Sequence, residues 1–200
     1  MQPVSLEPSL RQHSPSRESI DRERLVERYR RNRERSARLF DLLKDEDAHY
    51  VQPIPLRHPF VFYEGHVPAF SLNTLVKRGL GGPGIDDALE TLFARGIDPP
   101  ADAPLASGAG SGSAGTPDAS GSAAMEREAA RNRALWPDRR VVRQFAEAAD
   151  ARVIEALRHA DLDRPGDPLL ARAEAVFVIL EHEVMHQETL LYMLHRMPYA

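Results

Sequence analysis

Two hundred residues suffice for one ordinary domain with a real hydrophobic core and are short for two, especially when part of the chain is unstructured. The 26 basic and 30 acidic side chains leave a formal charge of −4, so no overall field draws the chain onto nucleic acid or anionic lipid. There is no cysteine, which excludes disulfides, thiolate catalysis and Cys-ligated zinc or iron–sulfur sites, and leaves any metal to His, Asp and Glu.

Residues 1–18 contain Pro3, Pro8 and Pro15 and no apolar run long enough for a secretory h-region, and they read as a disordered tail ahead of one domain spanning 19–198. The longest apolar stretch, Ala175 to Leu180, is far below the roughly twenty residues that span a bilayer. A soluble, cytoplasmic protein with no membrane partner is expected. From Ser19 to Lys44, Leu25, Tyr29, Ser36, Phe40 and Leu43 recur at helical spacing, which predicts an amphipathic first helix. Asn32 and Ser36 interrupt its stripe and would face a polar pocket or sit at a bundle edge.

Three prolines keep residues 51–59 extended, and a second helix is predicted over Phe60 to Leu80, with Pro59 at the first helical position and Gly79, Gly81 and Gly82 at its end. Pro68 lies inside it and is expected to remove a backbone hydrogen bond and kink the axis. A short helix from Asp86 to Arg95, capped by Asp86 or in the neighbourhood of Ile85, follows without a legible role. Residues 99–124 are nearly all Gly, Ala, Ser and Pro, a composition with little to bury, and read as a disordered low-complexity loop. Pro137 to Ala160 predicts a third long helix with Val142, Phe145, Ala149, Val153, Ala156 and Leu157 inward. The fourth takes Asp167 as N-cap and Pro168 as first residue and runs to Met197, roughly 45 Å at 1.5 Å per residue. Four long helices without a period-two strand predict an all-α four-helix bundle, up, down, up, down.

The fourth helix carries His182 and His186 four residues apart, one above the other on a mainly apolar stripe with Ala175, Ile179, Leu190 and Met193. Two inward histidines can simply hydrogen-bond to neighbouring helices, but a pair must satisfy four ring nitrogens in a poor solvent, and a shared metal meets much of that need. Glu183 and Gln187, one step round the helix, are candidate partners for the ligands or solvated side chains. His182-Glu183-Val184-Met185-His186 also matches the H-E-x-x-H pattern of zinc proteases. The metzincin extension requires Gly at 189 and His at 192, where this chain has Thr189 and Tyr192, and that reading fails.

A bundle site needs ligands from a second helix. His13 lies in the tail, His195 on a polar line, His159 at a helix end, and His49 and His58 in an irregular approach. His66 stands with Tyr63, Val67 and Phe70 on the apolar face of helix two, after Gly65, and is the best third ligand. Three neutral imidazoles leave coordination positions open and suit catalysis better than bracing, although zinc and iron(II) both accept this set.

Two segments, LRHPFVFYEGHVPAF (56–70) and LEHEVMHQETLLYMLHRMPY (180–199), are similar to the sulfoxide synthases of ergothioneine and ovothiol biosynthesis, whose N-terminal half is a DinB-like four-helix bundle. That resemblance implies that His66, His182 and His186 bind a non-heme iron(II), Fe(2+). The implied reaction is an oxidoreductase one: dioxygen joins the sulfur of a small-molecule thiol, cysteine or γ-glutamylcysteine, to the imidazole of a histidine derivative as a sulfoxide. The family also carries a C-terminal domain similar to formylglycine-generating enzymes, which these 200 residues do not contain and which would supply much of the substrate pocket. Two other readings compete: a stand-alone DinB-like metal-dependent thiol transferase, and a non-catalytic metal-binding bundle.

Overall fold

The computed structural model describes residues 20–94 and 119–197, which contain six α-helices and no strand. They are α1 (Arg22–Phe40), α2 (Phe60–Ser71), α3 (Asp87–Phe93), α4 (Ala119–Arg133), α5 (Arg139–His159) and α6 (Glu174–Leu194). The expected all-α bundle is present: α1 and α2 each pack against both α5 and α6. None of these helices is long and apolar enough to cross a membrane. The tail and most of the low-complexity loop lie outside the described residues.

Helix starts follow the capping residues where an acidic side chain can reach orphan amides. Asp21 accepts from the Arg24 N–H, Asp138 from the Arg140 N–H, and Asp86 from those of Ala88 and Leu89. Predicted inward residues Val142, Phe145, Ala149, Val153 and Leu157 are buried on α5, and Leu25, Tyr29 and Phe40 on α1. Pro59 is the N-cap of α2 rather than its first residue, and Pro68 stays inside that helix. From Leu72 to Gly79 the same helix continues in wider π turns, with the Leu80 N–H bonded to the Leu75 carbonyl at 3.0 Å.

Two elements differ from the sequence reading. Residues 119–124, predicted as loop, open helix α4, whose later turns pack against the Asp47–Tyr50 turn. The fourth long helix begins at Glu174, not at Pro168 after an Asp167 cap. Asp167 does accept from the Leu169 and Leu170 N–H groups, but Arg172 and Ala173 then adopt left-handed backbone (φ 57° and 58°), which breaks the helical path before α6. Burial of Leu162 and Leu170 holds this irregular connection against the core.

The turn after α2 is anchored by Glu90, a buried carboxylate that accepts from the Asp86 N–H at 3.0 Å and from Lys77 and the Ile85 N–H. A Cβ at Gly84 would lie 2.5 Å from a Glu90 carboxylate oxygen, so any other residue there would displace that carboxylate from its hydrogen bonds. The result fixes α3 against α2, a placement on which the site depends.

His49, in the Asp47–Tyr50 turn, is fully buried. Burial first, and the nearby Arg139 cation second, lower its pKa from 6.5 to about 4, with Glu46 opposing and Arg143 reinforcing the shift. Because the folded value lies below the unfolded one, the neutral ring contributes stability that is fully present above pH 6.5 and is lost as pH falls towards 4, on the order of 3 kcal/mol. His49→Gln should therefore have a flatter stability–pH profile than the parent in urea unfolding between pH 7.5 and 4. Parallel profiles would show that His49 does not carry this dependence.

Candidate metal centre

Helices α2 and α6 bring His66, His182 and His186 together, with their candidate ligand atoms all within 4.8 Å of one another. The His186 Nε2 lies 3.1 Å from the Nε2 of His66 and 3.1 Å from that of His182. His66 and His186 are buried and His182 is half-buried. The pair on α6 owes its common direction to the i, i+4 spacing.

The walls are aromatic. His182 stacks on Phe70 (ring centroids 3.5 Å apart, 10° between planes) and His66 on Phe62 (4.9 Å, 20°), while Tyr63 sits 5.4 Å from the His186 ring. Phe70 and Tyr63 lie on α2 one turn either side of His66. Burial and repulsion from the neighbouring imidazoles push the pKa of His182 down to about 2. Burial, with His66 and Arg57, lowers that of His186 to about 3, and burial lowers that of His66 against the opposing pull of the Phe93 carbonyl. All three rings are therefore neutral near pH 7 and keep a lone pair for a Lewis acid.

Hydrogen bonding does not satisfy this cluster. The His66 Nδ1–H donates to the Phe93 carbonyl at 2.6 Å, so in the neutral ring Nε2 carries the lone pair. The His186 Nε2 faces two nitrogens at 3.1 Å and has at most one proton to share. The Nδ1 atoms of both His182 and His186 are buried without a partner among the described residues. A cation about 2.1 Å from each imidazole nitrogen fits N···N separations near 3.1 Å, and the donor set is one that transition metals accept. The triad could hold a metal ion.

Helix α3, whose role was not legible in the sequence, supplies the carbonyl that orients His66. Gly65 explains how: a Cβ there would lie 2.4–2.6 Å from the Phe93 ring. The sequence signal was a glycine beside a candidate ligand; its neighbour could not be named because it lies across a turn.

Glu183 and Gln187 do not reach the imidazoles. They turn to α1, where the Glu183 carboxylate accepts from Arg33 at 2.9 Å and Ser36 at 2.7 Å, and Gln187 donates to the Asn32 carbonyl at 3.0 Å and the Ser36 hydroxyl at 3.1 Å. Asn32 and Ser36 are thus interior helix–helix contacts, neither bundle edge nor pocket. Arg33 and Asp150, half-buried and joined at 3.0 Å, complete this network and were not singled out in the sequence, because a charged residue on a helix usually marks a solvated face. A Glu183 held by Arg33 cannot serve as the general base of a zinc protease, which removes the H-E-x-x-H reading a second time.

The other described histidines stand apart. His159 and His195 are exposed, His49 is buried in its own turn, and His58 packs on Phe62 at 4.1 Å. A cavity of about 530 Å³ lined by Arg133, Arg139 and Arg143 at the start of α5 shares no residue with the triad.

Facing helices of a bundle thus direct three neutral imidazoles to one point, a cluster that could hold a metal ion. Residues 28–190 match the DinB superfamily, and the chain belongs to that family. Ergothioneine biosynthesis protein 1 of Neurospora crassa is 31% identical over 143 residues, which make up 72% of this chain and 14% of that relative's length.

Replacing Gly65 by Ala tests the packing that orients His66. Alanine favours helix by about 1 kcal/mol, but the clash with a fully buried Phe93 ring should outweigh this and lower stability by about 1–3 kcal/mol. Urea unfolding of Gly65→Ala measures the sign; a variant as stable as the parent would refute the close approach.

Proposed function

We propose that this chain is the metal-holding part of a non-heme iron(II), dioxygen-dependent sulfoxide synthase that joins a cysteine or γ-glutamylcysteine sulfur to the imidazole of histidine or a methylated histidine. The observation that carries the reading is the convergence of His66, His182 and His186, with ring nitrogens as close as 3.1 Å and three candidate protein ligands among the described residues. The name of the Neurospora relative supports the pathway, and membership of the DinB superfamily supports the bundle as a metal scaffold.

Overall, R–SH and an imidazole C–H combine with O₂ to give a sulfoxide and water: the S–H and C–H bonds break, C–S and S=O bonds form, and both hydrogens leave on the second oxygen atom. Iron(II) held by the three imidazoles would supply the redox chemistry that activates dioxygen. The protein's own tasks are to aim the ring nitrogens, keep the rings neutral and hold water away from one side with Phe62, Phe70 and Tyr63. Among the described residues Arg57 is a cation close enough to lower the His186 pKa, and a C-terminal domain similar to formylglycine-generating enzymes would provide the remaining clamps for two amino-acid carboxylates. Positioning of this kind contributes several kcal/mol to a two-substrate reaction.

Anaerobic iron(II) titration should find about one ion per chain, and His66→Ala, His182→Ala and His186→Ala should each abolish uptake while the chain stays helical by circular dichroism. Full metal content in any of the three variants, or loss on His58→Ala but not on His66→Ala, would overturn the ligand assignment. The iron-loaded chain supplied with oxygen, either thiol and either histidine should yield sulfoxide by mass spectrometry only when joined to the C-terminal domain. Multiple turnovers without that domain would refute the two-domain part of the proposal.

A further inference from the structure

Helix α6 lacks a sharply one-sided apolar face. Ala175, Val176, Ile179 and Leu180 are buried, yet Phe177, Met185 and Leu191 on its outer side are 45%, 50% and 54% exposed. Apolar packing is non-directional, so turning such a helix a little about its axis exchanges one set of apolar side chains for another at small cost. The imidazoles cannot tolerate that freedom. With Cα atoms about 2.3 Å from the axis and a ring reaching several ångströms beyond, a turn of about 20° displaces Nε2 by roughly 2 Å.

What resists rotation is directional and buried. Arg33 on α1 bridges Asp150 of α5 and Glu183 of α6 at 3.0 and 2.9 Å, with side-chain exposures of 17%, 23% and 0%. Ser36 and Asn32 on α1 bond Glu183, Gln187 and the Leu180 carbonyl, so the contacts extend along two turns of α6. Glu183 and Gln187 are each one residue beyond a histidine of the triad, so fixing their direction fixes that of His182 and His186. A buried ion pair contributes little net stability compared with apolar side chains of similar volume, so stability alone does not account for this one.

We propose that Arg33, Glu183, Ser36 and Gln187 are positioning residues of the metal centre, setting the rotation of α6 so that His182 and His186 direct Nε2 at His66. This rests on the metal-site reading above and assigns the H-E-x-x-H glutamate a role in aiming the ligands.

The test separates aim from stability. In the full chain, Arg33→Met, Ser36→Ala, Asp150→Asn and Glu183→Leu are combined, exchanging the lock for apolar or neutral groups. Thermal stability should be held or raised, while cobalt(II) affinity falls by about 10- to 100-fold and the visible cobalt spectrum changes from the parent's. Gln187→Met, which takes an acceptor only from the exposed Arg35 among charged groups, should weaken cobalt(II) binding about tenfold, and Glu183→Gln, which keeps an acceptor for Arg33 and Ser36, should hold it within about threefold of the parent. Parent-like affinity and spectrum in the combined variant, or in Gln187→Met if the combined variant does not fold, would overturn the proposal. If the parent itself takes up no cobalt(II), the metal reading fails and the positioning role is decided on the metal-free chain. Nuclear Overhauser contacts among the three imidazole rings are then expected in the parent and lost in the variants, and their survival in the variants overturns it.

Discussion

Three neutral imidazoles crowded around one point present more lone pairs and fewer usable protons than they can exchange among themselves. The His186 Nε2 cannot bond both neighbours at 3.1 Å, and two Nδ1 atoms are buried without partners among the described residues. Such an arrangement is costly by itself, so the surrounding structure must hold it. Helix α3 orients one ring through a backbone carbonyl, two phenyl rings stack on the imidazoles, and α1 grips the far side of α6. These contacts hold in place a cluster that is unfavourable by itself and that could hold a metal ion.

The same five letters, His-Glu-x-x-His, support different chemistry according to what the glutamate meets. On a zinc protease helix it faces the metal and activates water. Here Glu183 faces a guanidinium and a hydroxyl on α1 and is fully buried. Sequence spacing places the two histidines on one face and the glutamate about 100° away, but the partner helix decides whether that direction leads to a cleft or to a core.

The histidine pair, the third histidine and the all-helical architecture were legible because each rests on local periodicity: i, i+4 on α6, an apolar face on α2, and regular stripes on α1 and α5. What was not legible depends on contacts between distant parts of the chain. Phe93 reaches His66 across a 27-residue separation, and Arg33 reaches Glu183 across 150. The start of α6 was misplaced for a related reason. Asp167 and Pro168 have the chemistry of a helix start, but left-handed backbone at Arg172 and Ala173 separates that turn from the helix, and no side chain there announces it. Helix α4 was hidden because its first residues share the small-residue composition of the stretch before it.

The aromatic wall has an optical consequence. The chain's one tryptophan, Trp136, packs edge-on to Phe62 at 5.6 Å, and Phe62 in turn stacks on His66. Its indole thus stands one ring removed from a candidate ligand, close enough for a paramagnetic or coloured ion to drain its excited state. Ultraviolet emission from the unlabelled protein then becomes a built-in gauge of site occupancy, with no competing indole elsewhere in these 200 residues to dilute the signal.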